Sequence, residues 1–412
     1  MGAPQLDTRP PIADTATPET ISQPTQPAQP AQPAQPAPST NHGAHDPMVD
    51  TRRELRPTAQ QALANWWNHK LPPTARMLLT QLGIAVAVVL VVLPLASSLG
   101  WFGLHATAPN SASTTNQTTM TMTGNQPSPN APAHPLYNPQ APATPQGDIV
   151  NVQLTAKESL VSIAPGIAYQ AWTFNGTVPG PVIRVRQGQT VHFTLTNASA
   201  MSHSIDFHAA QTAWNVNYQP VAPGASLTFD WVANYPGAFL YHCGTPPVMT
   251  HMANGMYGAI IVDPANGWAT PAKEYVLVQS EFYTQRTANG TYTLDSAKMM
   301  NSTPDYVTFN GYASQYTQQP LTAQTGQRVR LFVINAGPTH FSAFHVIGAI
   351  FSDSYVDGNP ANHMVGNQTL TIPPGGGVVA ELTIPEAGEY PFLTHSFMDA
   401  SMGALGMIKA TP

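Results

Sequence analysis

Gly237 to Pro264 reads GAFLYHCGTPPVMTHMANGMYGAIIVDP. Short apolar runs open and close this stretch, and between them stand His242, the lone cysteine Cys243, His251 and Met256. Upstream, Met201-Ser202-His203-Ser204-Ile205-Asp206-Phe207-His208 adds two imidazoles and a carboxylate. The spacings are ones that loops of a β-sandwich can bring together. Two imidazoles, a thiolate and a weak axial thioether form the ligand set of a blue, electron-transferring type 1 copper site. His203, Cys243, His251 and Met256 fill that set, and Pro246, Pro247 and Gly255 suit a tight ligand loop. The competing reading is a buried structural cysteine with chance neighbours. A His-Cys pair flanked by further His and Met residues disfavours it.

His208 and His242 are then left over for a second metal. Side chains alternate along a strand, so His242 and Cys243 face opposite ways and can serve two different ions. Two histidines are too few for a tight site, and His395 is the natural third. Three imidazoles leave a coordination position open for water or substrate, as catalytic metal sites require. Asp206 and His345 are candidate proton donors. Asp206 sits two residues before His208 and leans to the same face; its competing role is to orient an imidazole. His192, His340 and His363 lack comparable partners in the sequence and read as surface or packing residues. Trp214 and Tyr218 read as loop packing, with control of access to the first site as the alternative.

The rest of the chain sets the context. Only 9% of its 412 residues are charged, and the net charge of -6 includes no basic patch, so nucleic-acid binding has no electrostatic support. One cysteine excludes an internal disulfide framework. Residues 1–76 form a Pro-, Gln- and Ala-rich tail with a QPA repeat from Gln26 to Ala37, expected to be largely disordered. Residues 77–99 carry no charge and are long enough to span a hydrocarbon core of roughly 30 Å as a helix. Arg52, Arg53, Arg56, Lys70 and Arg76 precede that stretch, and no Lys or Arg follows until Lys157. The asymmetry predicts a cytoplasmic tail, a membrane anchor, and a C-terminal bulk in the periplasm or outside the cell. A cleaved signal peptide is the rival, and the 76 preceding residues argue against it. Residues 100–147 read as a flexible linker.

From Asp148 onward the sequence turns β-rich. Runs such as Val182-Ile183-Arg184-Val185 and His192-Phe193-Thr194-Leu195 are bounded by Gly, Pro or Asn. The expected fold class is all-β, with two tandem Greek-key β-sandwich domains over 148–268 and 269–412. An internal duplication supports that count. Asp206-Phe207-His208 and Tyr241-His242-Cys243 in the first half answer to Ala343-Phe344-His345 and Thr394-His395-Ser396 in the second. The second copy thus replaces the thiolate with Ser396, and Ala404 is expected opposite Met256. It keeps two histidines.

Residues from about 150 to 412 resemble the copper-containing nitrite reductases, in the branch with a compact loop between Cys and the second type 1 His. The motifs are MSHSIDFHAA (201–210), LYHC (240–243), HMANGMYGAIIVDP (251–264), SAFHVIG (342–348) and the His395 region. The resemblance implies a homotrimer of two-cupredoxin subunits with two coppers per subunit, one type 1 and one type 2. It implies that His208 and His242 of one chain meet His395 of the next. It also implies that Asp206 and His345 are the catalytic pair, and that Ile347 crowds the substrate. The segment Gln211–Tyr218 departs from the family, which runs through a glycine-rich stretch there.

The expected function is therefore one-electron reduction of nitrite to nitric oxide. A periplasmic cupredoxin or c-type cytochrome would donate the electron, which passes through Cys243 and His242. A two-domain multicopper oxidase is one alternative, but it needs about eight histidines, many in His-X-His pairs, and this chain has no such pair. A non-enzymatic copper or electron-transfer protein is the other.

Overall fold

The computed structural model describes residues 125–412. The proline-rich tail and the 77–99 stretch lie outside the described residues, and no described helix is long and apolar enough to cross a membrane. Part of the predicted linker is held against the body. Ser128 N–H donates to Gly166 O, Val276 N–H donates to Pro139 O, and the His134 ring stacks on Tyr312 at 3.7 Å.

Strands dominate. The first half carries β1 (Ile149–Ala164), β2 (Ile167–Phe174), β3 (Ile183–Arg186), β4 (Thr190–Asn197), β5 (Asp206–Phe207), β6 (Ser226–Val232), β7 (Gly237–His242) and β8 (Tyr257–Asp263). The second carries β9 (Lys273–Phe282), β10 (Thr284–Arg286), β11 (Tyr292–Leu294), β12 (Tyr306–Phe309), β13 (Leu321–Gln324), β14 (Arg328–Gly337) and β15 (Ser342–Val346). It continues with β16 (Phe351–Val356), β17 (His363–Asn367), β18 (Thr369–Ile372), β19 (Gly377–Thr383), β20 (Gly388–Thr394) and β21 (Leu405–Thr411). Short helices interrupt them: α1 (Trp214–Asn217), α2 (Val248–Ala253), α3 (Ser296–Met300), α4 (Gln315–Gln318) and α5 (Phe397–Ser401).

These strands make four sheets in two facing pairs. The first pair is β10-β11-β2-β1-β4-β6 against β3-β8-β7-β5, and the second is β12-β9-β14-β19-β16-β17 against β13-β21-β20-β15-β18. Alternation explains the facing. On β4, Val191, Phe193 and Leu195 are buried while His192 is exposed, and the buried set joins one core with Ile260 and Val262 of β8. β8 is buried along its whole length. Its other face, Tyr257, Ala259 and Ile261, meets Val276 and Val278 of β9 and Phe332 and Ile334 of β14 in a second core. The opposite face of β14, Val329, Leu331 and Val333, enters a third core within the second pair. A strand with apolar cores on both faces loses its polar alternation and reads as a continuous hydrophobic run. β10 and β11 follow residue 268 in sequence, yet they extend the first pair's sheet rather than the second's.

Register bears directly on the duplication. Phe207 pairs with Tyr241, and Phe344 pairs with Thr394, so the matched motifs occupy matched positions. The expectation for Ala404 is different. Cys243 N–H donates to Met256 O, but it is Thr394 N–H that donates to Ala404 O, and Thr394 answers to Tyr241. The second hairpin is offset, because His242 pairs with Tyr257 whereas Leu393 pairs with Leu405. Ala404 therefore does not stand where Met256 stands.

Candidate metal centres

The first site is built by loops meeting at the mouth of the first sandwich. β7 delivers Cys243 at its C-terminal end, α2 carries His251, and His203 sits where an isolated bridge to Val221 ties its backbone down. The ligand loop closes on itself: Met256 N–H donates to His251 O, and Cys243 N–H donates to Met256 O. His203 Nδ1 lies 3.2 Å from His251 Nδ1, and the two stand 3.8 and 3.3 Å from Cys243 Sγ. All three residues are buried, as is Met256, which shares their core. Ser204 N–H donates to the sulfur at 3.3 Å. Burial, followed by the neighbouring His251, lowers the His203 pKa to about 4, and burial lowers that of His251. Both imidazoles are thereby held neutral, the state that ligates metal. Two soft-to-intermediate nitrogens and one sulfur converging in a buried pocket fit copper.

The second site lies beside the first. Asp206 and His242 are paired across β5 and β7, and His208 follows at the end of β5. His208 Nε2 stands 3.1 Å from His242 Nε2, and Asp206 Oδ2 is 3.8 Å from the latter. The outer nitrogens decide the tautomers. His208 Nδ1 faces Gly375 O at 3.1 Å, and His242 Nδ1 faces Cys243 O at 3.0 Å. Carbonyls only accept, so each Nδ1 carries a proton and donates it. Two Nε2 lone pairs then point at one another and cannot hydrogen bond. Such an arrangement calls for a cation between them, and it fits a metal ion. Gly375 reaches His208 because it turns through φ +81°, and a Cβ there would lie 3.2 Å from the imidazole. Desolvation of the ring, then the charge of His242, lowers the His208 pKa, while Asp206 opposes.

The remaining predicted residues form a separate group on the second sandwich. The His345 and His395 rings are 5.5 Å apart, and His395 leans on Phe397 at 4.6 Å. His345 Nδ1 donates to Gln368 O at 2.6 Å. Ile347 is exposed. Among the described residues the two groups able to hold a metal are His203–Cys243–His251 and Asp206–His208–His242, and neither includes His395.

Several contacts were not visible in the sequence. Trp172 lies edge-on to both first-site imidazoles, 4.9 Å from His251 and 5.9 Å from His203. Gly375 and Gln368 fix tautomers from loops of the second sandwich. Tyr218 is buried and donates to Phe207 O, while Trp214 is exposed. His192 and His363 pair with Asp230 and Asp353, so they do have partners. So does His340, whose Nδ1 is 2.8 Å from buried Asp399. Asp399 first, with Ser302 O and Glu281 helping and burial opposing, pushes its pKa up to about 9 from the ordinary 6.5. A raised histidine stabilises the fold fully below pH 6.5 and ceases to do so as pH rises through about 9. Discounted for solvent screening, the contribution is about 1 kcal/mol. Urea unfolding at pH 6.5 and 9.5 should show wild type losing more stability than His340→Gln; equal losses would contradict the pairing.

Two facing β-sheet pairs with a buried His–Cys–His centre at one mouth define a copper protein of the cupredoxin class, and a multicopper oxidase family model matches residues 155–267. Within that class the chain belongs to the copper-containing nitrite reductase family. It is 39% identical over 268 residues to the copper-containing nitrite reductase of Neisseria meningitidis serogroup B, covering 63% of this chain and 68% of that protein. A solved copper nitrite reductase from Nitrosomonas europaea is 39% identical with a TM-score of 0.60, covering 64% of this chain and 94% of that one. A solved multicopper oxidase is less similar, at 27% identity and TM-score 0.57, over 64% of this chain and 87% of that one.

Proposed function

We propose that the chain reduces nitrite to nitric oxide, consuming one electron and two protons and releasing water. One observation carries this reading: Cys243 and His242, neighbours in sequence, belong to two separate donor clusters. His203, Cys243, His251 and Met256 would hold a type 1 copper. His208 and His242, completed by His395 of the partner subunit, would hold a type 2 copper, giving two per subunit. When bound, copper supplies one-electron transfer at the first site and an open position for nitrite at the second.

The protein's own groups do the rest. The Cys243–His242 peptide is the covalent path between the clusters. Asp206, beside His242 Nε2, holds one proton against the substrate oxygen. His345, with Nδ1 committed to Gln368, keeps Nε2 to hand over the second. Ile347 crowds nitrite from the apolar side.

The same reading has the two halves, 148–268 and 269–412, act as tandem cupredoxin domains, the second lending β10 and β11 to the first one's sheet. Phe341, Ile347, Ile350, Phe397 and Met398 are large apolar residues left exposed near His345 and His395 in sequence. An apolar surface of that kind is what a neighbouring subunit covers, here in a homotrimer. The 77–99 anchor would hold the domains in the periplasm, where a cupredoxin or c-type cytochrome supplies electrons.

Anaerobic assay of the copper-loaded full-length protein tests the activity. One nitric oxide should appear per electron consumed; no nitric oxide there, with oxygen uptake in a parallel aerated assay, would favour the oxidase reading. Asp206→Asn should lower kcat by about 10²-fold with both copper signals retained. A loss below threefold would return Asp206 to an orienting role.

A further inference from the structure

The outer nitrogen of His203 does not end at solvent. Its Nε2 is 2.9 Å from Ser199 Oγ, and Ser199 is buried. With Nδ1 turned toward Cys243 and His251, Nε2 carries the proton and donates it to that oxygen. Met201 N–H donates to the same Oγ at 3.2 Å. Both acceptor positions of the hydroxyl are then used, and its own proton must go elsewhere. It goes to Glu158 Oε1 at 2.6 Å, a carboxylate oxygen that also accepts from Ala200 N–H at 3.2 Å. The direction of every bond in this chain is set: imidazole to hydroxyl, hydroxyl to carboxylate.

From this we propose that Glu158, acting through Ser199, sets the reduction potential of the copper held by His203, Cys243 and His251. The inference rests on the type 1 assignment of that site. A carboxylate that polarises the far N–H of a ligating imidazole makes the near nitrogen a stronger donor. A stronger donor favours the more highly charged, oxidised ion. Glu158 therefore holds the potential down and fixes how readily the site accepts an electron. Ser199 and Glu158 are positioning residues: neither reaches the metal, and each acts only through His203. Glu158 lies on β1, 41 residues from Ser199, so no local motif announces the link.

Redox titration of the full-length copper-loaded protein, followed by its visible thiolate-to-copper band, tests this. Glu158→Gln should shift the equilibrium with a one-electron mediator toward the reduced site by about fivefold to tenfold. Tenfold corresponds to about 59 mV for such a couple. Ser199→Ala should shift it the same way, and adding Glu158→Gln to Ser199→Ala should change it by less than about twofold, because the two act in series. An unmoved potential in Glu158→Gln overturns the inference. So does an equal Glu158→Gln shift in both backgrounds, which is the mark of a bare surface charge. Wild-type protein that binds copper with no such band overturns the ligand assignment itself, and the inference with it; a band with an unmoved potential overturns the inference alone.

Discussion

Replacing His395 with alanine is expected to leave the blue colour of the copper-loaded protein intact and to lower nitrite turnover by on the order of 10²-fold or more. The colour is expected from Cys243, whose buried cluster contains no residue of the second sandwich. Turnover is expected from a centre at His208 and His242, which supply only two imidazoles between them. His395 is exposed at the end of β20, and among the described residues its ring contacts are with His345 and Phe397. If it completes the second centre, it does so across a subunit boundary. Removing it should erase the type 2 EPR signal without changing the protein's size in solution. Full turnover in His395→Ala would mean that the second metal is held by other residues.

Arg330→Met is expected to destabilise the protein by about 3–5 kcal/mol, the cost of stripping one partner from a buried charge network. Arg330 is 2% exposed. Its guanidinium donates to Glu381 Oε1, Glu274 Oε1 and Thr270 O, each at 2.6 Å, and lies 4.7 Å above the Trp268 ring. Glu274 in turn accepts from Arg184, which is forked onto Asp263 at the end of β8. The network thus straddles the junction where the first sandwich's inner sheet meets β9 and β14. Glu381, itself 3% exposed, would retain only Arg328. The melting temperature should fall by roughly 10 °C, and adding Glu381→Leu should restore part of it by removing the stranded charge. A loss below 1 kcal/mol by calorimetry would show that solvent reaches the network freely.

Much of the site was legible because its chemistry is local. The His-Cys pair and the SIDFH segment carry their donor atoms within a few residues, and strand alternation puts those atoms in two separate clusters. Their copies in the second half sit at the matching register, Phe207 against Tyr241 and Phe344 against Thr394. The offset of Ala404 was hidden, because aligning the two halves by sequence does not reveal that their hairpins pair differently. Trp172, Gly375, Ser199 with Glu158, and the Arg330 network were hidden for another reason. Each joins residues far apart in the chain, and such contacts depend on how sheets face one another rather than on any period. β10 and β11 are a similar case: nothing in their short runs says which sheet they will extend.

Copper quantification combined with EPR on the purified full-length protein tests the central claim most directly. Two ions per chain are predicted, one giving the blue thiolate signal and one a type 2 signal that nitrite perturbs. A single blue copper per chain would contradict the account and leave an electron carrier, and four would make the protein an oxidase.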